Sequence, residues 1–151
     1  MPLRHRAFFF AGLVACTLTG LRASAGVSCA DLALQPYGGA TIQSATLVPA
    51  DGATPAYCKV AATVGLQTDL EVRLPDPAQW KNRFLHIGGS GFDGTVANLA
   101  PYSAQLRQGY ALAGSNGGHR REDYPNANFG TNFTLTQDYA CLLYTSPSPR
   151  D

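Results

Sequence analysis

The chain has 151 residues, a formal net charge of +1 and only 14% charged residues, with 16 glycines and 10 prolines. That length suits one small domain or the opening part of a larger one. No basic patch and no interleaving of basic with aromatic residues argues for nucleic acid, and the longest apolar run is too short to span a bilayer comfortably.

Arg4 and Arg6 precede an apolar run from Ala7 to Leu21, and Ala23-Ser24-Ala25 follows it as a small-x-small cleavage site. Residues 1–25 therefore read as a secretory signal, which places the mature protein in the periplasm or outside the cell. A rival lies within the run, where Leu13-Val14-Ala15-Cys16 resembles a bacterial lipoprotein cleavage box that would leave Cys16 as a lipid anchor. The far end, residues 141–151, does not match the protein before it. Back-translated from Cys141 onward, it resembles the transposon-end adapter of sequencing libraries, the alternative being an ordinary Ser/Pro-rich tail. On the adapter reading, authentic sequence stops near Ala140 and the chain is the N-terminal fragment of something longer.

Residues 26–140 carry seven basic and nine acidic side chains. Cys29 and Cys58 are the cysteines left to this segment. An even pair in an exported protein predicts a disulfide, which for a loop of about 30 residues contributes roughly 3 kcal/mol through the lost entropy of the unfolded chain. Two free buried thiols are the alternative. Neither cysteine has a second ligand at zinc-finger spacing, so no metal site is expected.

From Cys29 to Leu74 the pattern is β-rich. Thr41 to Val48 is β-prone, Val60, Ala62 and Val64 alternate with more polar neighbours, and Leu70, Val72 and Leu74 alternate with Glu71 and Arg73 as a strand with one wet face. Asp51-Gly52 and Pro55 separate the first strand from the second, and Pro75-Asp76-Pro77 ends the third. The expected product is an antiparallel meander. Trp80 follows in a polar turn, where it is expected to plug the edge of the sheet.

Arg83 to Ile87 is a short apolar run, expected to be the central strand, and it stops abruptly at Gly88, Gly89 and Gly91. Next, Thr95 to Gln108 is helix-compatible, with Val96, Leu99, Tyr102 and Leu106 at three- and four-residue steps, Pro101 as a kink and Gly109 as its end. Tyr110 to Ala113 is a second apolar strand, expected to be left as a bare edge. Strand, glycine loop, helix and strand together predict a βαβ unit, so the fold class is α/β, with an antiparallel β lead-in followed by that unit. Asn116 to Asn132 is Gly/Asn-rich and lies at the carboxyl end of the second strand, and Asn132-Phe133-Thr134 matches a glycosylation sequon.

Two chemistries compete for the glycine loop. Gly89-Ser90-Gly91-Phe92-Asp93-Gly94 matches the G-x-G-x-x-G dinucleotide fingerprint in the required strand-to-helix context. Against it, no Asp or Glu occurs between Thr95 and Arg121 to hold a ribose, and no cofactor is expected. The other chemistry is an oxyanion hole, in which backbone N–H groups after a sheet strand stabilise the negative oxygen of an acyl-transfer intermediate. Its candidate donors are Gly89, Ser90 and Gly91. Ser90 as a nucleophile fails, because G-x-S-x-G would need glycine at Phe92. A third possibility is a small exported binding or structural domain in which the loop is only a tight turn.

Four stretches in order, Ser28-Cys-Ala-Asp-Leu32, Ala56-Tyr-Cys-Lys-Val60, Trp80 to Phe92 and Gln108-Gly-Tyr-Ala111, resemble the N-terminal part of the tannase and feruloyl esterase family, which includes aromatic polyester monomer hydrolases. The resemblance implies an exported serine esterase with an α/β-hydrolase core, acting on small aromatic esters of the gallate, ferulate or terephthalate type. It also implies that the Ser–Asp–His triad and a lid domain lie beyond Ala140, so the chain as it stands is expected to be inactive, with no catalytic residue of its own. What transfers here is the oxyanion donor of the Gly88–Gly91 loop. The chain departs from the family in three places: Trp-Lys-Asn-Arg replaces the commoner Trp-Asn-Gly-Arg, Ser90 interrupts the glycine run, and Asn116 stands where members often have Asp ahead of a Gly-His pair. His86 reads as a satisfied strand residue, and the resemblance makes His119 a brace for the loop.

Overall fold

The computed structural model describes residues 27–89 and 91–145. The signal segment with Cys16, the candidate donor Ser90 and the last six residues of the tail lie outside the described residues.

Five strands, β1 (Ala40–Val48), β2 (Tyr57–Val64), β3 (Thr68–Pro75), β4 (Arg83–Ile87) and β5 (Tyr110–Ser115), form one sheet in the order β1-β2-β3-β5-β4. The first three are the expected antiparallel meander, with Tyr57 opposite Val48 on one side and Pro75 on the other. β3 then pairs antiparallel with β5, and β4 lies parallel to β5 on its far side. Two expectations are therefore corrected. The Arg83–Ile87 strand is the outer strand of the described sheet, not a central one, and the Tyr110 strand is an inner one. The inner place suits the small side chains of β5: it is buried from Ala111 to Ser115, and a Cβ on Gly114 would stand 3.1 Å from the Ala97 carbonyl of the crossover, whereas Phe84 of β4 is 54% exposed.

The crossover from β4 to β5 is also shorter in helix than the pattern implied. Residues 95–99 are not helical; a 3-10 turn spans Ala100–Tyr102 and α1 only Ser103–Arg107. Pro101 lacks an N–H and sits in the first turn, while the Asn98 side chain accepts the Ala100 N–H at 3.0 Å, so the helix starts there rather than at Thr95. Gly109, at φ +83, ends it as expected, and a Cβ there would meet the Gln79 carbonyl at 2.3 Å. A second helix, α2 (Phe133–Thr145), runs past Ala140 without a break.

The core lies between the sheet and the crossover, where Tyr57, Leu99, Leu106 and Leu112 pack with Val48, Leu85, Ile87, Tyr102 and Tyr110 around them. This packing covers part of the face expected to be wet. Glu71 and Arg73 bond to each other at 2.7 Å, Lys59 joins at 3.2 Å, and the Arg73 guanidinium sits over the Tyr57 ring. On the N-terminal side, Cys29 and Cys58 form a disulfide that ties the 3-10 turn Ala30–Leu34 to β2. Trp80 is half exposed and donates its indole N–H to the Arg83 carbonyl, at the start of the outer strand as its edge position required.

Candidate functional site

Because β4 and β5 are parallel neighbours, the Gly88–Gly91 loop and the Asn116–Arg121 loop leave the same end of the sheet side by side. Carboxyl ends of parallel strands are where open α/β sheets place their ligands. Between them lies an open cleft of about 410 Å³, lined by Gly88, Gly89, Asp93, Val96, Asn98 and Arg121 among others. The loops are laced together by main-chain bonds: Gly94 N–H to the Asn116 carbonyl and Arg121 N–H to the Gly94 carbonyl, both 2.9 Å, and Ala97 N–H to Ser115 at 3.2 Å.

The second loop is held by Asn116, which is almost fully buried. Its side-chain oxygen accepts the Asp69 and Gly118 N–H groups at 3.1 Å, and its amide nitrogen donates to the Gln67 carbonyl at 2.8 Å. A carboxylate could not make the last bond, which is the physical sense of Asn where the family often carries Asp. Arg120 adds a two-pronged bond to Asp69, at 2.7 and 3.0 Å, and holds that carboxyl below its ordinary range. Gly117 and Gly118 take φ of +72 and +92, and a Cβ on Gly118 would stand 2.9 Å from Asp138 of α2. Glycine is required there for both reasons.

His119, 1% exposed, stacks on Phe129 with centroids 4.1 Å apart and meets Tyr139 edge-on. Burial lowers its pKa, against the opposing pull of the Gly117 carbonyl and the Asp93 charge. A neutral imidazole inside an aromatic cluster supports the loop, in line with the bracing role that the resemblance implied. Phe92 at the tip of the glycine loop packs edge-on to Phe129, and the Tyr139 hydroxyl donates to the Gly91 carbonyl at 2.9 Å. The sequence reading missed this support from α2, which no local motif announces. His86 is a half-buried strand residue whose pKa burial also lowers.

Of the candidate donors, Gly91 has φ +62 with open space where a Cβ would point, and its carbonyl is tied back by Tyr139. Gly89 is different: the Asp93 carboxylate packs against it, in the place where a Cβ on the glycine would stand. A carboxylate packed on the loop would repel a pyrophosphate drawn to the loop's N–H groups, which weighs against the nicotinamide reading. Among the described residues no cluster of His, Cys, Asp and Glu could hold a metal ion.

Residues 57–146 match the family described as tannase and feruloyl esterase. The chain belongs to that family. It is 32% identical over 127 residues to an uncharacterized esterase of Agrobacterium fabrum and 38% identical over 112 residues to one of Xanthomonas campestris. Those matches take in 71% and 65% of this chain but only 22% and 19% of the relatives, so the chain spans about a fifth of their length. Among solved structures, feruloyl esterase B from Aspergillus oryzae aligns over 74% of this chain and 25% of its own, with a TM-score of 0.55 and 25% identity. As a tannase and feruloyl esterase family member, the chain thus has a mixed α/β sheet shared with a larger esterase.

Proposed function

We propose that this chain is the N-terminal part of an exported serine esterase that hydrolyses esters of aromatic acids, with the Gly88–Gly91 loop contributing a backbone donor to its oxyanion hole. The observation that carries the reading is the position of that loop: a glycine turn at the carboxyl end of β4, beside a parallel β5, in a chain whose residues 57–146 match an esterase family. A feruloyl esterase among the structural relatives supports an aromatic acyl group, and the Cys29–Cys58 disulfide supports an oxidising compartment. In this reading the nucleophile, base and orienting acid come from sequence beyond this chain. On this reading the chain by itself is expected to cleave none of these esters.

The test uses the full-length protein, offered methyl gallate, methyl ferulate and a terephthalate monoester, with release of the free acid followed by chromatography. Gly91→Pro, which removes one N–H and cannot adopt φ +62, should lower kcat by roughly 10²-fold or more, the scale of a lost oxyanion donor. Failure of the wild-type protein to cleave any of the three would overturn the substrate class. Near-wild-type turnover by a folded Gly91→Pro variant would overturn its place in the hole.

A further inference from the structure

Tyr139 lies on α2, and the fold seats that helix firmly. It starts on Asn132, whose side-chain oxygen accepts the Thr134 and Leu135 N–H groups at 3.1 and 3.3 Å, and Leu135 is fully buried. Further along, the helix presses on the loop after β5: a Cβ on Gly118 would stand 2.9 Å from Asp138 Cβ and 3.0 Å from the Tyr139 N, so glycine there is what admits it so close. The Tyr139 ring packs on Phe129, with centroids 4.8 Å apart, and lies edge-on to His119 at 6.1 Å. From that seat its hydroxyl donates to the Gly91 carbonyl at 2.9 Å, while Phe92, the next residue, meets the same Phe129 ring edge-on. The Gly91–Phe92 peptide is thus gripped on both sides by one aromatic cluster.

Glycine has no Cβ to bias its backbone, so a peptide in a glycine turn can rotate about its flanking bonds until its carbonyl stands where its N–H did. In a loop that must aim N–H groups at a developing oxyanion, that rotation replaces a donor with a repelling oxygen. The Gly91–Phe92 peptide is planar and trans, so a bond that holds its carbonyl also holds its N–H on the opposite side. The same bond fixes ψ of Gly91, the residue whose own N–H is a candidate donor. We propose that Tyr139 is a positioning residue for the glycine loop: its hydroxyl keeps the Gly91–Phe92 peptide from turning over and so holds the loop's N–H groups in one arrangement. That the arrangement serves an oxyanion rests on the esterase reading; the lock on the peptide does not.

Two measurements on the full-length protein separate the lock from its use. In the first, carbonyl-labelled glycine beside nitrogen-labelled phenylalanine singles out Gly-Phe peptides by NMR, and Phe92→Leu identifies the Gly91 signal by its disappearance. Tyr139→Phe keeps the ring and loses only the O–H, so it should move the Gly91 carbonyl resonance upfield, the direction of a lost hydrogen bond. An unmoved resonance overturns the lock whether or not any ester is cleaved. In the second, Tyr139→Phe should lower kcat on an aromatic ester about fivefold with KM little changed, the scale of one neutral hydrogen bond. A side chain that only stabilised the fold would lower the urea midpoint and leave the kcat of the folded enzyme alone. Wild-type kcat in a Tyr139→Phe variant with a shifted Gly91 resonance therefore overturns the positioning role, as does a loss carried by KM instead of kcat. Should Tyr139→Phe not fold, Tyr139→His, which keeps a ring N–H that stops short of the carbonyl, is read in the same two ways. A wild-type protein inactive on every ester overturns the esterase reading, while the carbonyl resonance still decides the lock.

Discussion

At the scale of single residues, His119 links packing to pH. Asp93 and Arg121 are the charged groups that face it, and burial dominates both, holding its pKa below the ordinary 6.5. As pH falls through that ordinary value the unfolded chain takes up a proton that the folded protein resists, so stability drops from about pH 7 toward pH 5. His119→Phe, which keeps a ring against Phe129, should flatten that slope; urea unfolding at the two pH values measures it. Asn116 gives a second residue-level expectation. Asn116→Asp leaves the partly buried Gln67 carbonyl without its donor and places a charge in the buried Asn116 site, at a cost of about 1–3 kcal/mol by denaturant unfolding. The departure from the family at Asn116 was legible in the sequence, but its partners, 47 and 49 residues away, were not. The same holds for Asp93, which the sequence offered only as the x of a glycine fingerprint.

At the scale of elements, the strands followed their patterns closely because alternation and turn residues act locally. Arg83–Ile87 matched its expected bounds, and Pro75 closed β3. The crossover helix was over-read, since the three- and four-residue spacing of Val96 and Leu99 reflects a loop packing on β5, with Leu99 buried and Ala97 bonded to Ser115. α2 has a weakly segregated apolar face and is held through Tyr139 and the aromatic cluster, so periodicity gave little to read. The inner strand is the element most sensitive to change. Leu112 is 0% exposed at the centre of the core, and Leu112→Ala should cost about 2–5 kcal/mol, checked by chemical denaturation.

For the whole molecule, two features decide how the isolated chain behaves. The Cys29–Cys58 disulfide ties the first described turn to β2, and its reduction should lower stability by roughly 3 kcal/mol, seen as a lower denaturation midpoint in dithiothreitol. β4 presents an outer edge with Phe84 exposed, a template for pairing with another chain. Phe84→Lys should reduce concentration-dependent association of this chain by light scattering. What the sequence determined by itself was local: which runs are strands, where glycine and proline stop them, that two cysteines are there to pair, and that a glycine loop follows a strand into a βαβ unit. Only the tertiary structure decided which strand lies inside the sheet and how the glycine loop is fastened to the loop after β5. Both depend on contacts between residues far apart in the chain, Leu70 with Ser115 in one case and the clustered Asp93, Arg121 and His119 in the other, and no local pattern encodes a distance across the fold.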